Sequence, residues 1–488
     1  MTTFGVTEAP AARSGGSSTA AHSSAAPSSL VLAPASSGDH LVIHNFLLGV
    51  CQAPSASEFQ SQLEDPRYEP MDRLVVRHNQ RIVGHVRQLQ RELYFDGINA
   101  PAGGLCDLVV APEYRRRGFG AQLVFAAERE LIRGGALLGF TRTVAPRLFA
   151  RRGWVTWGRH CYSKARTRDV LAEISQRERT PSAPVDALHP PLPASPLSTR
   201  IWRHVERAAL VRLFAQNMQG VCGGTVRSDE QWAWLVSRRA YDSIYVAVSG
   251  KDKWDLDERP LVGYAIVKDS RIVELMAAPN RPDAGVQLLR RVCGDFIERD
   301  MHHVRLDAPP NSPWHRVMVR AGGELVERDV DGQQTLMAKL FNPLGWLQRL
   351  RPVLAERARR GGLDRLALQL RVAGAAYRVT IAGDTVEVGN DSLADAGLNH
   401  VVEMSSDTFS RLTLGELQLG PAKDVKRAMG REPSGSASAL VCGEVCEGAA
   451  EWEGAQIRGS SREALAIAGA LFPRRTFWRP PFDELAAQ

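Results

Sequence analysis

Residues 115–121, Arg-Arg-Arg-Gly-Phe-Gly-Ala, set three guanidinium groups directly ahead of two glycines one residue apart. That combination suits the holding of a phosphate or pyrophosphate. Arginine supplies charge-assisted N–H donors, and glycine lets an anion approach the backbone without meeting a Cβ. If a helix starts here, its first N–H groups lack intrahelical partners and carry the positive end of the helix dipole. The flanking sequence meets that condition. Residues 105–110 are short, rich in Leu and Val and without helical period, which predicts a buried strand. Residues 121–128 combine strong helix formers with apolar positions at helical spacing. The glycines therefore fall where a turn ends and a helix begins.

The elements further out extend the pattern. Residues 74–77 and 81–86 bracket His78-Asn79-Gln80 and predict a hairpin. Residues 137–141 predict the next strand, and 145–152 a short helix closed by Gly153-Trp154. On composition alone, an ordinary basic strand-to-helix turn would read the same way. Taken with its flanks, the segment resembles the acyl-CoA-binding motif of the GNAT acetyltransferases: Arg or Gln, two residues, Gly, one residue, then Gly or Ala. Arg115, Gly118 and Gly120 fill those positions, after the Val-x-Pro of Val110-Ala111-Pro112. The resemblance implies a GNAT fold over residues 40–170 and acetyl-CoA as the acyl-donor substrate. It implies that the backbone of Leu108, Val109 and Val110 lies along the thioester and pantetheine. Arg115, Arg116, Arg117, Gly118, Phe119, Gly120 and Ala121 would then surround the pyrophosphate.

A chain of 488 residues, 44% hydrophobic, is too long for one ordinary core and predicts about three domains. Residues 1–38 are mostly Ser, Ala, Pro and Gly, which predicts a disordered tail without the marks of a secretory signal. No apolar run reaches the roughly 18 residues of a membrane helix, so no membrane partner is expected. Seven scattered cysteines make an odd number, which points to free thiols and a cytoplasmic, reducing compartment. Cys442 and Cys446 have no second pair or histidines nearby, and no metal is expected. The net charge of +7 suits an anionic ligand such as CoA. The basic residues are dispersed and carry no nucleic-acid-binding signature, so nucleic acid is not expected as a partner.

Six prolines between Pro181 and Pro196 predict an extended linker. Beyond it, residues 202–218 form an amphipathic segment, and 244–248, 261–267 and 272–277 read as strands before Pro279. Aligning Pro279 with Pro112 matches residues 274–278 to 107–111 and brings 314–322 close to 145–153. This reads as a second, diverged unit. Pro282 and Asp283 replace Arg115 and Arg116, Gly285 matches Gly118, and Gln287 replaces Gly120, so no CoA should bind there. From about Leu344 the pattern changes: Leu366, Leu368 and Leu370 alternate, as do Tyr377, Val379 and Ile381, with a Gly383-Asp384 turn before Val386 and Val388. Helices follow near Ser406 and over 464–472. The order resembles the Eis-type acetyltransferases, two GNAT units followed by a sterol-carrier-protein-like domain. The expected class is α/β with mixed sheets. The expected divisions are a tail 1–38, a catalytic GNAT domain 39–170, a linker 171–199, a degenerate GNAT domain 200–343 and a sterol-carrier-protein-like domain 344–488.

Acetyl transfer needs a deprotonated amine, a polarised thioester and protonation of the leaving thiolate. Relatives often place a tyrosine four residues before the glycine that closes the short helix; here that position is Phe149, which has no proton to give. Arg142 stands where relatives often carry a cofactor-contacting asparagine. The terminal carboxylate that Eis-type enzymes are thought to use would belong to Gln488. Asp107, by strand alternation, faces away from Leu108 and reads as solvated or paired, and His160 and Tyr162 read as packing residues on a later strand. No catalytic residue is assigned. The leading expectation is an acetyl-CoA-dependent N-acetyltransferase acting on a small-molecule amine or a lysine. The alternative is a non-catalytic acyl-CoA-binding or interaction protein. A homo-oligomer is left open.

Overall fold

The computed structural model describes residues 30–179, 197–250, 261–392, 400–419, 450–452, 455–458 and 461–486. It separates into two compact units, Met1–Leu89 with Leu105–Leu131 and Gln90–Gly104 with Ile132–Gln488.

The first unit holds β1 (Leu30–Pro34), α1 (His40–Cys51), α2 (Ala56–Leu63), β2 (Arg73–His78), the start of β3 (Arg81–Phe95), the end of β4 (Ile98–Val110) and most of α3 (Phe119–Arg133). β1 pairs antiparallel with β2 from Leu30↔His78 to Pro34↔Leu74. Residues 30–38, expected within the tail, are thus a paired strand and a 3-10 turn. Leu30-Val31-Leu32 is a short β-forming run at the end of a polar stretch, and it satisfies its backbone on an available strand edge. The β2–β3 hairpin turns through Asn79 and Gln80, both left-handed at φ 47° and 67°, as a two-residue hairpin loop requires. Ile43, Leu47 and Phe59 from α1 and α2 pack with Val75, Ile82 and Val109 on one face of the sheet. On the other face Gly84 admits α3: a Cβ there would lie 3.1 Å from Leu123 Cδ1.

The second unit takes the rest of β3 and β4, then β5 (Leu138–Thr143), α4 (Pro146–Ala150), β6 (Val155–Thr156), β7 (His160–Arg166) and α5 (Thr167–Arg179). β8 (Leu197–Ile201), α6 (Arg207–Met218), α7 (Asp229–Ser237), β9 (Ser243–Ser249), β10 (Leu261–Lys268) and β11 (Arg271–Ala277) follow. Next are α8 (Asp283–Glu298), β12 (His303–Asp307), α9 (Pro313–Arg320), β13 (Glu324–Arg328), β14 (Val330–Asp331) and β15 (Gln334–Leu340). The last region comprises α10 (Pro343–Arg349), α11 (Arg351–Gly361), β16 (Arg365–Val372), β17 (Ala375–Ala382), β18 (Thr385–Asn390), β19 (His400–Met404), α12 (Ser406–Thr413), β20 (Ala450–Trp452), β21 (Ala455–Arg458) and α13 (Arg462–Leu471).

Within this unit the first sheet continues from β4 to β5, β15 and β14, with β6 also on β15. A second sheet runs β13-β7-β12-β11-β10-β9-β8, and a third β18-β17-β16-β19-β21-β20. The first two sheets exchange a strand. β7 leaves β6 to lie between β12 and β13, while β15 crosses to pair with β5 from Thr335↔Thr143 to Leu340↔Leu138. The boundaries expected at 39–170 and 200–343 therefore do not divide the sheets cleanly. The expected linker is also shorter at its start, because residues through Arg179 continue α5. In the third region Leu368, Leu370, Val379 and Ile381 share one core with Trp346, Leu347 and Ile467. The C-terminal segment runs back to the second sheet, where Trp478 and Phe482 join Phe214 and Trp232. Among the described residues, no helix is long and apolar enough to cross a membrane. Cys442, Cys446 and Gln488 lie outside the described residues.

Candidate functional site

β4 ends at Val110 and α3 begins at Phe119, leaving an eight-residue turn over 111–118. A short 3-10 segment, Pro112–Tyr114, starts it. Tyr114 is tied to β2 by its hydroxyl, 2.7 Å from His78 Nδ1, and the Arg117 guanidinium lies 5.4 Å from the Tyr114 ring centre. Arg115 Nε donates to the Val110 carbonyl at 3.0 Å, closing the turn against the end of its strand. Arg116 and Gly118 are both left-handed, at φ 61° and 86°, the kind of conformation from which anion-binding nests are built. Gly118 caps α3: its carbonyl takes the first helical hydrogen bond, from Gln122 N–H at 3.0 Å. The N–H groups of Phe119, Gly120 and Ala121 come before that bond and so belong to the helix end. A Cβ on Gly118 would meet nothing nearer than Gln122 Nε2 at 4.0 Å. Arg115, Arg116, Arg117 and Gly118 are exposed, while Leu108, Val109 and Val110 are half-buried. All ten residues expected around the cofactor thus lie on one strand–turn–helix of the first unit.

Beside that strand lies a buried polar cluster that sequence reading did not assemble. Asp107 is left-handed at φ 52°. Its carbonyl is 2.9 Å from His85 Nδ1, and its carboxylate accepts from Arg87 Nε at 3.0 Å. His85 Nε2 lies 3.3 Å from Arg73 Nη1. Arg73 in turn donates to Gln62 Oε1 at 2.8 Å and to the Tyr68 hydroxyl at 3.2 Å, with Phe59 stacked on its guanidinium at 4.6 Å. Burial, reinforced by the Arg73 charge, pushes the His85 pKa down to about 4. The imidazole is therefore neutral at physiological pH, with its proton on Nδ1 facing the Asp107 carbonyl and Nε2 accepting from Arg73. Burial works to raise the Asp107 carboxyl, but Arg87 foremost and Arg73 outweigh it and hold it below the usual carboxylate range. Burial pushes the neighbouring Cys106 thiol up to about 11, so it stays protonated. The legible signal was a lone Asp inside an apolar strand, together with His and Arg alternating at 85 and 87 on the strand beside it.

The corresponding turn of the second sheet is built differently. Only five residues, 278–282, separate β11 from α8. Arg281 folds onto Asp283 through two bonds of 3.0 and 2.9 Å. Gly285, aligned by sequence with Gly118, is the third residue of α8 and not its cap. The Trp314 indole covers it so closely that a Cβ would fall 2.1 Å from Trp314 Nε1. On β11, Glu274 holds Arg227 through bonds of 3.0 and 2.7 Å and accepts from the Tyr264 hydroxyl at 2.5 Å. Arg227 also reaches Asp483 at 2.8 Å and is enclosed by Phe214, Trp232 and Phe482.

The remaining candidates have structural places. Phe149 is 1% exposed, its ring edge-on to Trp154 at 5.2 Å. Arg142, on β5, forms an ion pair with Glu484, which also holds Arg479 at 2.6 Å. His160 and Tyr162 lie on the exchanged strand β7, where the Arg305 guanidinium stacks on Tyr162 at 3.7 Å.

Residues 42–156 match the family model described as an acetyltransferase (GNAT) domain. The fold is shared with a GCN5-related N-acetyltransferase from Anabaena variabilis, at a TM-score of 0.63 and 13% identity over 92% of this chain and 99% of that one. A probable N-acyltransferase of unknown function from Enterococcus faecalis gives 0.62 and 11% over 93% and 99%. Eis1 from Mycobacterium abscessus gives 0.57 and 13% over 92% and 99%. Comparison with curated protein sequences returned no match.

Proposed function

We propose that the chain is an N-acetyltransferase that takes its acetyl group from acetyl-CoA and passes it to an amine of a small molecule or a lysine. The observation that carries this reading is the turn over 111–118, where exposed arginines and a left-handed Gly118 cap meet at the start of α3. The backbone N–H groups at Phe119, Gly120 and Ala121 would take the pyrophosphate oxygens, with Arg115, Arg116 and Arg117 adding charge. Leu108, Val109 and Val110 would present strand backbone to the pantetheine and thioester. The amine attacks the thioester carbonyl, the bond to sulfur breaks, and CoA leaves as the thiol once a proton has been delivered. Phe149 supplies none. The thioester is already activated, so much of the rate must come from positioning.

The third region supports a sterol-carrier-protein-like reading through its antiparallel β16–β17–β18 meander and parallel β16–β19 pair. The free cysteines at 51, 106, 161, 222 and 293 support a cytoplasmic setting.

The test is a coupled thiol-release assay with acetyl-CoA across polyamines, aminoglycosides, amino acids and lysine peptides. The reading predicts acceptor-dependent release of CoA with acetylated product identified by mass. Tight acetyl-CoA binding with no transfer to any acceptor would favour the non-catalytic acyl-CoA-binding alternative.

A further inference from the structure

The three arginines of the turn over 111–118 are not equivalent. Arg115 is committed to the fold: its Nε holds the Val110 carbonyl at 3.0 Å, and its backbone N–H donates to the Pro112 carbonyl at 3.2 Å. Arg116 is exposed and left-handed at φ 61°. Arg117 is exposed too, and its guanidinium lies 5.4 Å from the Tyr114 ring centre, within cation–π range. Tyr114 is itself tethered. Its hydroxyl is hydrogen-bonded to His78 Nδ1 at 2.7 Å, and the two ring centres are 5.5 Å apart, edge to face. Next to it, Glu113 pairs with Arg81 at 4.0 Å. His78 and Arg81 flank the Asn79-Gln80 turn, so the tip of the β2–β3 hairpin holds the 3-10 segment from which the arginines spring.

That tether sets a direction. The sheet runs β2-β3-β4, and neighbouring strands lie about 4.8 Å apart, so His78 stands roughly 10 Å to the side of β4. Tyr114 is drawn toward it, and Arg117 with Tyr114. Both therefore sit off the line on which β4 runs into α3. Pantetheine along β4 and pyrophosphate at the start of α3 would occupy that line. CoA carries one further anionic group past its pyrophosphate, the phosphomonoester on the 3′ oxygen of its ribose. Arg117 has no carboxylate partner among the described residues, so its charge is available to such a group. An arginine already held over a ring also loses less rotamer freedom when an anion arrives.

We propose that His78 and Tyr114 are positioning residues that station Arg117 for the 3′-phosphate of CoA, so that this chain distinguishes CoA from 3′-dephospho-CoA. This rests on the reading of the turn as the CoA site, and it moves the charge of Arg117 from the pyrophosphate to the far end of the donor. The pyrophosphate keeps the helix N–H groups and the charge of Arg116. Arg115 serves mainly to close the turn against its strand. Neither His78 nor Tyr114 takes part in the chemistry.

The experiment is calorimetric titration of CoA and of 3′-dephospho-CoA into the full chain, as wild type and as Arg117→Ala, Tyr114→Leu, Tyr114→Phe and His78→Leu. Wild type should prefer CoA by about tenfold. Arg117→Ala should remove most of that preference by weakening CoA about tenfold while dephospho-CoA stays within about threefold of wild type. Tyr114→Leu should reduce the preference about fivefold, and Tyr114→Phe and His78→Leu, which lose the tether but keep a ring under Arg117, about threefold. Adding Tyr114→Leu to Arg117→Ala should not change the ratio further, because Tyr114 acts through Arg117. A general structural role for Tyr114 would instead weaken both ligands alike. Equal losses for the two ligands in Arg117→Ala, or an unmoved ratio in Tyr114→Leu, overturn the proposal. If Tyr114→Leu does not fold, Tyr114→Phe and His78→Leu decide, and a wild-type ratio in both overturns it. A wild-type chain that binds neither ligand refutes the CoA reading of the turn and this assignment with it. Wild type that binds the two ligands equally refutes this assignment alone.

Discussion

The turns after β4 and β11 stand at equivalent places in two similar sheets, and they have been resolved in opposite directions. The first is eight residues long, left-handed at Arg116 and Gly118, and open at its helix cap. The second is five residues long, with its arginine folded onto Asp283 and its glycine covered by Trp314. The strands leading into them differ in the same sense. Asp107 is half-buried on a left-handed bulge, where β4 takes thirteen steps from Ile98 to Ala111 against twelve on β3 from Phe95 back to Val83, the partner of Ala111. β11 also bulges, at the register shift between Glu274 and Ile272, but without a left-handed residue, and Glu274 is sealed with Arg227 among aromatic rings. One half leaves backbone donors and charge available. The other satisfies its own charges and fills its own space, as a structural element does.

The largest expected effect lies in the sealed half. Arg227→Ala strands Glu274 and Asp483 as buried carboxylates, and should destabilise the protein by about 3–5 kcal/mol. Chemical denaturation measures that loss, and CoA affinity of the folded variant should be unchanged. The open half is sensitive to acid. His85 titrates near 4 in the folded state against 6.5 ordinarily. Between these values the unfolded chain binds more protons, so stability should fall as pH drops from about 6.5 to about 4, by at most about 3 kcal/mol. His85→Asn should flatten that slope in a pH series of melts. Gly118→Asp places a carboxylate where the pyrophosphate would sit. It should weaken CoA binding at least a hundredfold, about 2.7 kcal/mol, and cost about 1–2 kcal/mol of stability, because a side chain at φ 86° is strained although the space around it is open. Gly285→Ala, the same kind of change in the filled half, should instead cost about 1–2 kcal/mol of stability through collision with Trp314 and leave CoA binding alone.

The parts of this contrast that depend on neighbouring residues were legible in the sequence. A strand rich in Leu and Val, a basic turn and an amphipathic helix announce themselves within about twenty residues, and Pro282-Asp283 already looked hostile to a phosphate. The parts that depend on distance were not. β3 reaches Phe95, well beyond the apolar run that ends at Val86, because Arg87, Gln88, Gln90, Arg91 and Glu92 interrupt the alternation while the backbone continues to pair. Aligning on Pro279 put Gly285 at a helix cap, but the shorter turn carries it into α8. The exchange of β7 and β15 is a matter of long-range pairing, and each strand reads equally well beside its sequence neighbour. Alternation left Asp107 as solvated or paired, and the structure pairs it with Arg87; alternation cannot show an extra residue in a strand, so the bulge and the His85–Arg73 clamp emerge only in three dimensions.

The central claim is that one half holds CoA and the other has been filled by its own side chains. Calorimetric titration of CoA into the full-length chain tests it most directly. A single saturable site per chain, lost in Gly118→Asp and retained in Gly285→Ala, is the predicted result. Two sites of comparable affinity, or a single site that survives Gly118→Asp, would contradict it.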